Sequence, residues 1–411
     1  MGLRRAFRRP AFIAYAATLL ALGGVVTSAQ TTKSEPRTAK ASGRWAGTWE
    51  AAMAAAVDGG CAYCTIRDVV HTSIGGARLR VRLSNAFGTA PLLVGHTTVA
   101  LPAAPGSAQV APGTLREVRF HGRAAVTIAP GADAVSDPIP LSAPSGDDLL
   151  VTTYTPGYAT PMSDHPLAKQ HSFVARGVDV TDAVDASAFP ATTAGWHIVT
   201  GVDVSGAAGT VVALGDSITD GYRSTNGADR RWPDVLARRL LSGPAYRRLG
   251  VLNAGIGGNR VLLDGGVHGR SAAERLDRDV LSRSGVRTVI VLEGINDIQQ
   301  VPHQLDPTRI TAGLTEIVAR SHARGLRVIG GTLTPYGGCA CYSRQGEATR
   351  QAVNAWIRTD HAFDGVVDFD AVLRDPYDPR RMRSAYDSGD HLHPSDAGYA
   401  AMGGAVDLST L

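Results

Sequence analysis

The sequence predicts two folds in series, an all-β, sandwich-like domain followed by a doubly wound parallel α/β sheet. Three observations carry this. The first half holds strictly alternating apolar and polar runs, as in Arg78-Leu79-Arg80-Val81-Arg82-Leu83, which stops at Ser84-Asn85. Past Gly209 the runs turn short and continuously apolar, with helical stretches between them. The chain of 411 residues is also longer than one core usually serves.

At the start, MGLRRAFRRP carries four arginines and no acid. The uncharged run Ala11–Val26 and then Thr27-Ser28-Ala29 follow. A basic start, a short apolar core and small residues at the −3 and −1 positions describe a secretory signal peptide over residues 1–29, cleaved near Ala29. The run is shorter than the ~20 residues a bilayer span needs. The expected protein is therefore secreted, with no integral membrane association after cleavage. Arg4-Arg5-Ala6-Phe7 leaves general and twin-arginine export both open. Losing four arginines takes the formal charge of +4 to about zero, which argues against a nucleic-acid partner.

Residues 30–43 are polar and read as a flexible leader. Residues 44–206 read as the β-sandwich-like accessory domain. Its strands are expected at Arg78–Leu83, Arg119–Ile128, Asp148–Tyr154 and Gly195–Val204, with Gly, Pro and Asp between them. Trp45, Trp49, Tyr63, Tyr154, Tyr158 and Trp196 offer rings that stack on sugars or fill a core, so a polysaccharide contact through this domain is an open expectation.

Residues 207–411 read as the catalytic domain. Thr210–Leu214 is a strand buried on both faces, and similar runs recur at Gly250–Leu252, Thr288–Leu292, Val328–Leu333 and Val366–Phe369. Between the last strands, Ile310, Leu314, Ile317 and Val318 mark one helical face within 308–324, with Gly325 as its stop. Strands alternating with helices make a parallel sheet, whose sites lie beyond the carboxyl ends of the strands.

Four cysteines stand as Cys61-x-x-Cys64 and Cys339-x-Cys341. Four thiolates suit zinc, but in an exported chain disulfides are the better expectation, and three pairings are open.

Three segments end strands and carry polar groups: Gly215-Asp216-Ser217-Ile218-Thr219-Asp220-Gly221, Asn253-Ala254-Gly255-Ile256-Gly257-Gly258-Asn259, and Glu293-Gly294-Ile295-Asn296-Asp297. Asp390-His391-Leu392-His393-Pro394 lies just before a last helical stretch. Ester hydrolysis needs a nucleophile, a base and donors for an oxyanion. Ser217, at a strand-to-helix junction, is the candidate nucleophile; in isolation it would more often be a helix cap. His393 is the candidate base, because imidazole titrates near neutrality. Asp390, three residues earlier, is placed to hold that imidazole in the right tautomer.

In this order, GDS with its x-T-D-G tail, N-x-x-x-x-G, G-x-N-D and D-x-x-H resemble the four blocks of the SGNH (GDSL-type) hydrolases, over Gly215 to Pro394. With SGDHLHPSDAGY and RQAVNAWIR, the wider chain resembles exported bacterial two-domain GDSL-type esterases and lipases. The resemblance implies a flavodoxin-like SGNH hydrolase fold. It implies an oxyanion hole made of the backbone N–H of Ser217, the backbone N–H of Gly258 and the side-chain amide of Asn296. Gly258 is chosen over Gly257 because it stands five residues after Asn253. Asp216 and Asp297 flank the site as supports.

The expectation is a secreted serine hydrolase that cleaves carboxylic esters through Ser217, His393 and Asp390 and an acyl-enzyme. No cofactor and no metal are expected, and the partner is a small-molecule or polymeric ester. One alternative is a carbohydrate O-acetylesterase with a polysaccharide-binding β-domain. A more remote one is a metal-dependent phosphoesterase using Asp216, Asp220, Asp390, His391 and His393. The absence of G-x-S-x-G argues against the ordinary α/β-hydrolase fold. Every named catalytic residue lies after Gly206, so the second half alone is expected to keep residual activity on a small soluble ester, with a larger loss on a polymeric substrate if the β-domain helps bind it.

Overall fold

The computed structural model describes residues 44–57, 61–157, 161–244 and 248–411. The leader sequences, Tyr158 and the proposed cleavage point lie outside them. Among the described residues, no helix is long and apolar enough to cross a membrane.

The first half is built of antiparallel sheets. A six-stranded sheet has Cys64–His71 and Asp148–Thr155 at its centre, paired in register from Asp148 opposite His71 to Thr155 opposite Cys64. A four-stranded sheet pairs Trp45–Glu50, Val199–Ser205, Leu79–Ser84 and Asp133–Val135, in that order. Alternation explains how they meet. Leu79, Val81 and Leu83 of one sheet and Ile66, Val70, Leu149 and Val151 of the other point into one shared apolar core. Trp49 and Trp196 meet edge-to-face there, 5.0 Å between ring centroids, so these two rings are core and not sugar platforms. Cys61 pairs with Cys64, and Cys339 with Cys341.

Two expected strands are interrupted. Arg119–Ile128 yields only Val126–Ile128, because His121 and Gly122 turn the chain with positive φ and donate their N–H groups to Asp137. Gly195–Val204 divides into Trp196–His197 and Val199–Ser205 at Ile198, whose φ is +53°. Alternation reads side-chain polarity and is blind to a single left-handed residue.

The second half is the expected doubly wound sheet. Counted in chain order, Thr210–Gly215, Gly250–Gly255, Val286–Leu292, Arg327–Gly331 and Gly365–Val367 lie in the order 2-1-3-4-5, all parallel, which is the flavodoxin-like arrangement. Helices cover both faces, among them Trp232–Leu241, Pro307–His322, Arg344–Thr359 and Asp396–Ala405. Pro307–His322 begins at an Asp306 cap with proline in its first turn and buries Ile310, Leu314, Ile317 and Val318. Gly325 follows at φ +72° and ends it. The last strand is shorter than its apolar run, because Asp368 caps a new helix, Phe369–Leu373.

The two halves are joined where the strand Trp45–Glu50 lies beside Thr210–Gly215 and Gly250–Gly255. Gly47 N–H donates to Thr210 Oγ1 at 2.9 Å, and Val251 N–H donates to Ser73 Oγ at 2.8 Å. Residue 250 has to be glycine, because a Cβ there would stand 2.0 Å from the Gly47 carbonyl oxygen. Glu50 and Arg283 form a buried ion pair at 2.6 Å between the halves.

Candidate active site

The strand Thr210–Gly215 is apolar and buried throughout, so it delivers Ser217 to the carboxyl edge of the sheet with no freedom of register. Asp216 caps the following short helix, its side chain accepting from Ile218 N–H at 2.8 Å. Ser217 and His393 are 8% and 9% exposed, enough to meet a substrate and too little to be generally wet. His393 Nε2 stands 2.8 Å from Ser217 Oγ, and its Nδ1 stands 2.9 Å from Asp390 Oδ2. The three side chains thus form one relay across 176 residues of sequence.

Asp390 is held as an anion by its own turn. Its Oδ1 accepts the N–H groups of Leu392 and His393 at 3.0 and 2.9 Å. Burial works against its ionisation, but the His393 ring and these two N–H groups outweigh it and hold the carboxyl below its usual range. The ring of Tyr222 meets His393 edge-on at 4.6 Å, and Tyr399 fixes that segment by donating its hydroxyl to the Tyr222 carbonyl at 2.7 Å.

The three proposed oxyanion donors come together on the same cavity. Ser217, Gly258, Asn296 and His393 all line an open space of about 380 Å³. Among the described residues, the N–H groups of Ser217 and Gly258 have no hydrogen-bond partner, whereas Gly257 N–H is taken by Asp220 Oδ2 at 3.1 Å. The free donor is therefore Gly258. Its φ is +77°, and any Cβ would strike the His268 ring, so only glycine fits. Asn296 is oriented on both sides of its amide. Its Nδ2 donates to the Asn259 carbonyl at 2.9 Å, and its Oδ1 accepts from Gln299 and Gln300 at 2.7 and 2.9 Å. This aims the remaining N–H of Nδ2 away from those partners.

Asp297 accepts Val261 and Leu262 N–H at 2.8 and 3.0 Å and so ties the second strand's loop to the third's. Burial pushes its carboxyl up to about 6 in spite of those bonds. Asp216 and the neighbouring Glu293 are raised too, first by burial; the charge of Asp297 adds to both, and that of Asp216 adds to Glu293. The two oxygens of Glu293 have no hydrogen-bond partner among the described residues.

Of the residues named for a metal site, Asp220 is engaged by His165 and Gly257, and His391 by Asp387. They do not converge with Asp216, Asp390 and His393 on one point.

Residues 213–401 match the sequence profile of the GDSL-like lipase/acylhydrolase family. The parallel half of the chain belongs to that family. Among curated proteins none matches the chain. Among solved structures the chain is similar to a GDSL-like lipase from Bacteroides thetaiotaomicron, at 18% identity over 49% of this chain and 88% of that one, with a TM-score of 0.39. An aryl esterase from M. smegmatis is 17% identical over 47% of this chain and 94% of its own, with a TM-score of 0.38. A family two carbohydrate esterase from Clostridium thermocellum, solved with cellohexaose, is 12% identical over 84% of this chain and 91% of that one, with a TM-score of 0.38.

The GDSL-like domain does not build its cavity alone. Ala54, His165, Pro166 and Leu167 of the antiparallel half line it beside Ile256, Val267 and Leu392. Every residue named for the chemistry lies in the second half, and the antiparallel half adds wall to the cavity around them. The segment His165–Leu167 reads in sequence as the end of a strand and a turn, with no block signature to single it out. Tyr222, His268, Gln299 and Gln300 were also missed. Spacing offered one signal, since Gln299 and Gln300 follow Asn296 by three and four residues, the interval at which helical side chains meet.

Proposed function

We propose that this GDSL-like hydrolase cleaves carboxylic esters through a Ser217-His393-Asp390 triad and that it is exported to do so. What carries the reading is the relay from Ser217 Oγ to His393 Nε2 at 2.8 Å and from His393 Nδ1 to Asp390 at 2.9 Å. Ser217 Oγ attacks the acyl carbon while its proton passes to His393 Nε2. The carbonyl oxygen, now an anion, is received by the N–H groups of Ser217 and Gly258 and by Asn296 Nδ2. His393 returns the proton to the departing alcohol, leaving an acyl group on Ser217. A water then gives a proton to His393 and its oxygen to the acyl carbon, and as the bond from the acyl carbon to Ser217 Oγ breaks, His393 returns the proton to Oγ, which frees the acid and restores the serine.

Asp390 stabilises the imidazolium that forms in each half, and its fixed charge suits that task. A cavity of about 380 Å³, apolar along Leu167, Ile256, Val267 and Leu392, suits a short or aryl substituent of an ester. Export rests on the leader sequence alone.

The test is a series of nitrophenyl esters of increasing acyl length, run beside an acetylated polysaccharide. Turnover should fall once the acyl chain outgrows the cavity, and Ser217→Ala should turn over none of the series. Hydrolysis by the alanine variant at the wild-type rate would overturn the reading.

A further inference from the structure

We propose that His165, a residue of the antiparallel half, is a positioning residue for the oxyanion turn, acting through Asp220 on Gly257 and Gly258. The proposal rests on the reading of Gly258 as an oxyanion donor.

His165 is 2% exposed, on the strand Met162–His165. Its Nδ1 stands 2.8 Å from the Ala52 carbonyl oxygen, and its Nε2 stands 3.1 Å from Asp220 Oδ1. A carbonyl oxygen and a carboxylate both accept, so the ring satisfies the two only when both of its nitrogens carry protons. It is then an imidazolium paired with Asp220, itself 1% exposed. The surrounding charges are Asp220 and Arg231 of the GDSL-like domain and Asp164 of the ring's own strand. Burial opposes the charge on the ring. The Asp220 charge and hydrogen bond and the Ala52 carbonyl outweigh it, with Arg231 a smaller opposing effect, so the ring holds its proton above its usual range.

Asp220 has two oxygens and uses both. While Oδ1 faces His165, Oδ2 accepts the Gly257 N–H at 3.1 Å. That bond fixes the peptide just before Gly258. The same glycine is gripped from its other end, since His268 Nδ1 lies 2.9 Å from the Gly257 carbonyl oxygen. Leu167, two residues beyond His165, closes the apolar side, and a Cβ on Gly257 would meet its Cδ1 at 2.4 Å. The antiparallel half therefore presses on the oxyanion turn with one charged and one apolar contact. Without His165, Asp220 is a buried carboxylate lacking its counter-charge, and it either takes up a proton or moves. Either change loosens Gly257 and lets the Gly258 N–H drift from the line a developing oxyanion requires. A displacement of this kind, even about 1 Å, costs on the order of 100-fold in rate.

The experiment uses the full chain with His165→Gln, Asp220→Asn and the double variant. On p-nitrophenyl acetate, kcat should fall about 10- to 100-fold in each single variant, with KM changed less than about 2-fold. Inhibition by phenylboronic acid, whose tetrahedral adduct on Ser217 occupies the oxyanion position, should weaken by a similar factor. The double variant should lose little more than either single one, because the two residues act on one contact. A folded variant that keeps wild-type kcat, or one that loses activity through KM alone with boronate inhibition intact, overturns the proposal.

A measurement on the wild-type protein stands even if the variants fail to fold. ¹⁵N-histidine spectra with the His165 ring assigned should show it protonated at both nitrogens at about pH 8. A neutral His165 ring would also overturn it. Ser217→Ala separates the two levels of the argument. Retained hydrolysis there removes the site reading itself, whereas loss of hydrolysis together with an unaffected His165→Gln removes only this inference.

Discussion

Glu50 Oε1 and Arg283 Nε lie 2.6 Å apart, both side chains buried, and join the first antiparallel strand to the turn that leads into the strand Val286–Leu292. Arg283 also donates to Thr200 Oγ1 at 3.2 Å. Removing one member of such a pair leaves the other charge buried alone, which costs about 3–5 kcal/mol. Arg283→Ala should lower the stability of the whole chain by that order in denaturant unfolding. It should do so in a single transition that takes both halves with it. A variant as stable as wild type would show that the pair does not couple the halves.

Ser217→Ala should abolish covalent labelling by a fluorophosphonate probe as well as ester hydrolysis. The loss expected on removing a serine nucleophile is on the order of 10⁶-fold in kcat. Intact-mass spectrometry of the labelled protein is the readout, and labelling that persists in the alanine variant would move the nucleophile elsewhere.

Asn296→Ala removes one proposed oxyanion donor together with the acceptor that Gln299 and Gln300 share. Loss of such a donor costs about 10²–10³ in kcat. Gln300→Ala leaves the donor in place and only frees its orientation, so its loss should be smaller and should fall on kcat more than on KM. Equal losses in the two variants would mean that the glutamine makes contact with substrate.

Glu293 carries a prediction about pH. Burial, the charge of Asp216 and the charge of Asp297 raise its pKa well above the ordinary value, against the pull of Arg275. In the unfolded chain it loses its proton near about 4.3. Between that pH and the higher folded value the native state binds more protons, so this group's contribution to stability declines as pH rises. Glu293→Gln should therefore flatten the pH dependence, with the variant gaining on wild type as pH rises above about 4. Thermal melts across that range decide it, and parallel curves would refute the assignment.

Leu167 tests the shared cavity. Leu167→Trp fills cavity space beside Gly257 and leaves Ser217, His393 and Asp390 themselves unchanged. Its optimum on the nitrophenyl series should move to shorter acyl chains, while acetate turnover falls less than about 10-fold. An unchanged chain-length profile would place the acyl group on another wall.

Period-2 alternation around Arg78–Leu83, apolar runs ending in Ser217, Asn253 and Asn296, and the spacing of Ile310, Leu314, Ile317 and Val318 are local patterns, and each was legible because burial demands them of any chain with those elements. Parallel topology then requires strand ends to gather at one edge, which brings the segments holding Ser217, Gly258 and Asn296 together, while the choice of those three donors follows from the resemblance to the GDSL-type blocks. The contacts between the halves had no such signature. His165 lies 55 residues from Asp220, and Glu50 lies 233 from Arg283. A histidine or an acid in a strand looks the same whether it faces water or a partner. The single left-handed residues at His121 and Ile198 were equally hidden, since φ is set by what the neighbouring strands require. The sequence by itself determined the two folds and the residues proposed for the chemistry. Tertiary packing alone decided which free N–H faces the cavity, what orients Asn296, and that a segment of the antiparallel half closes the site, because each depends on distances that no local pattern encodes.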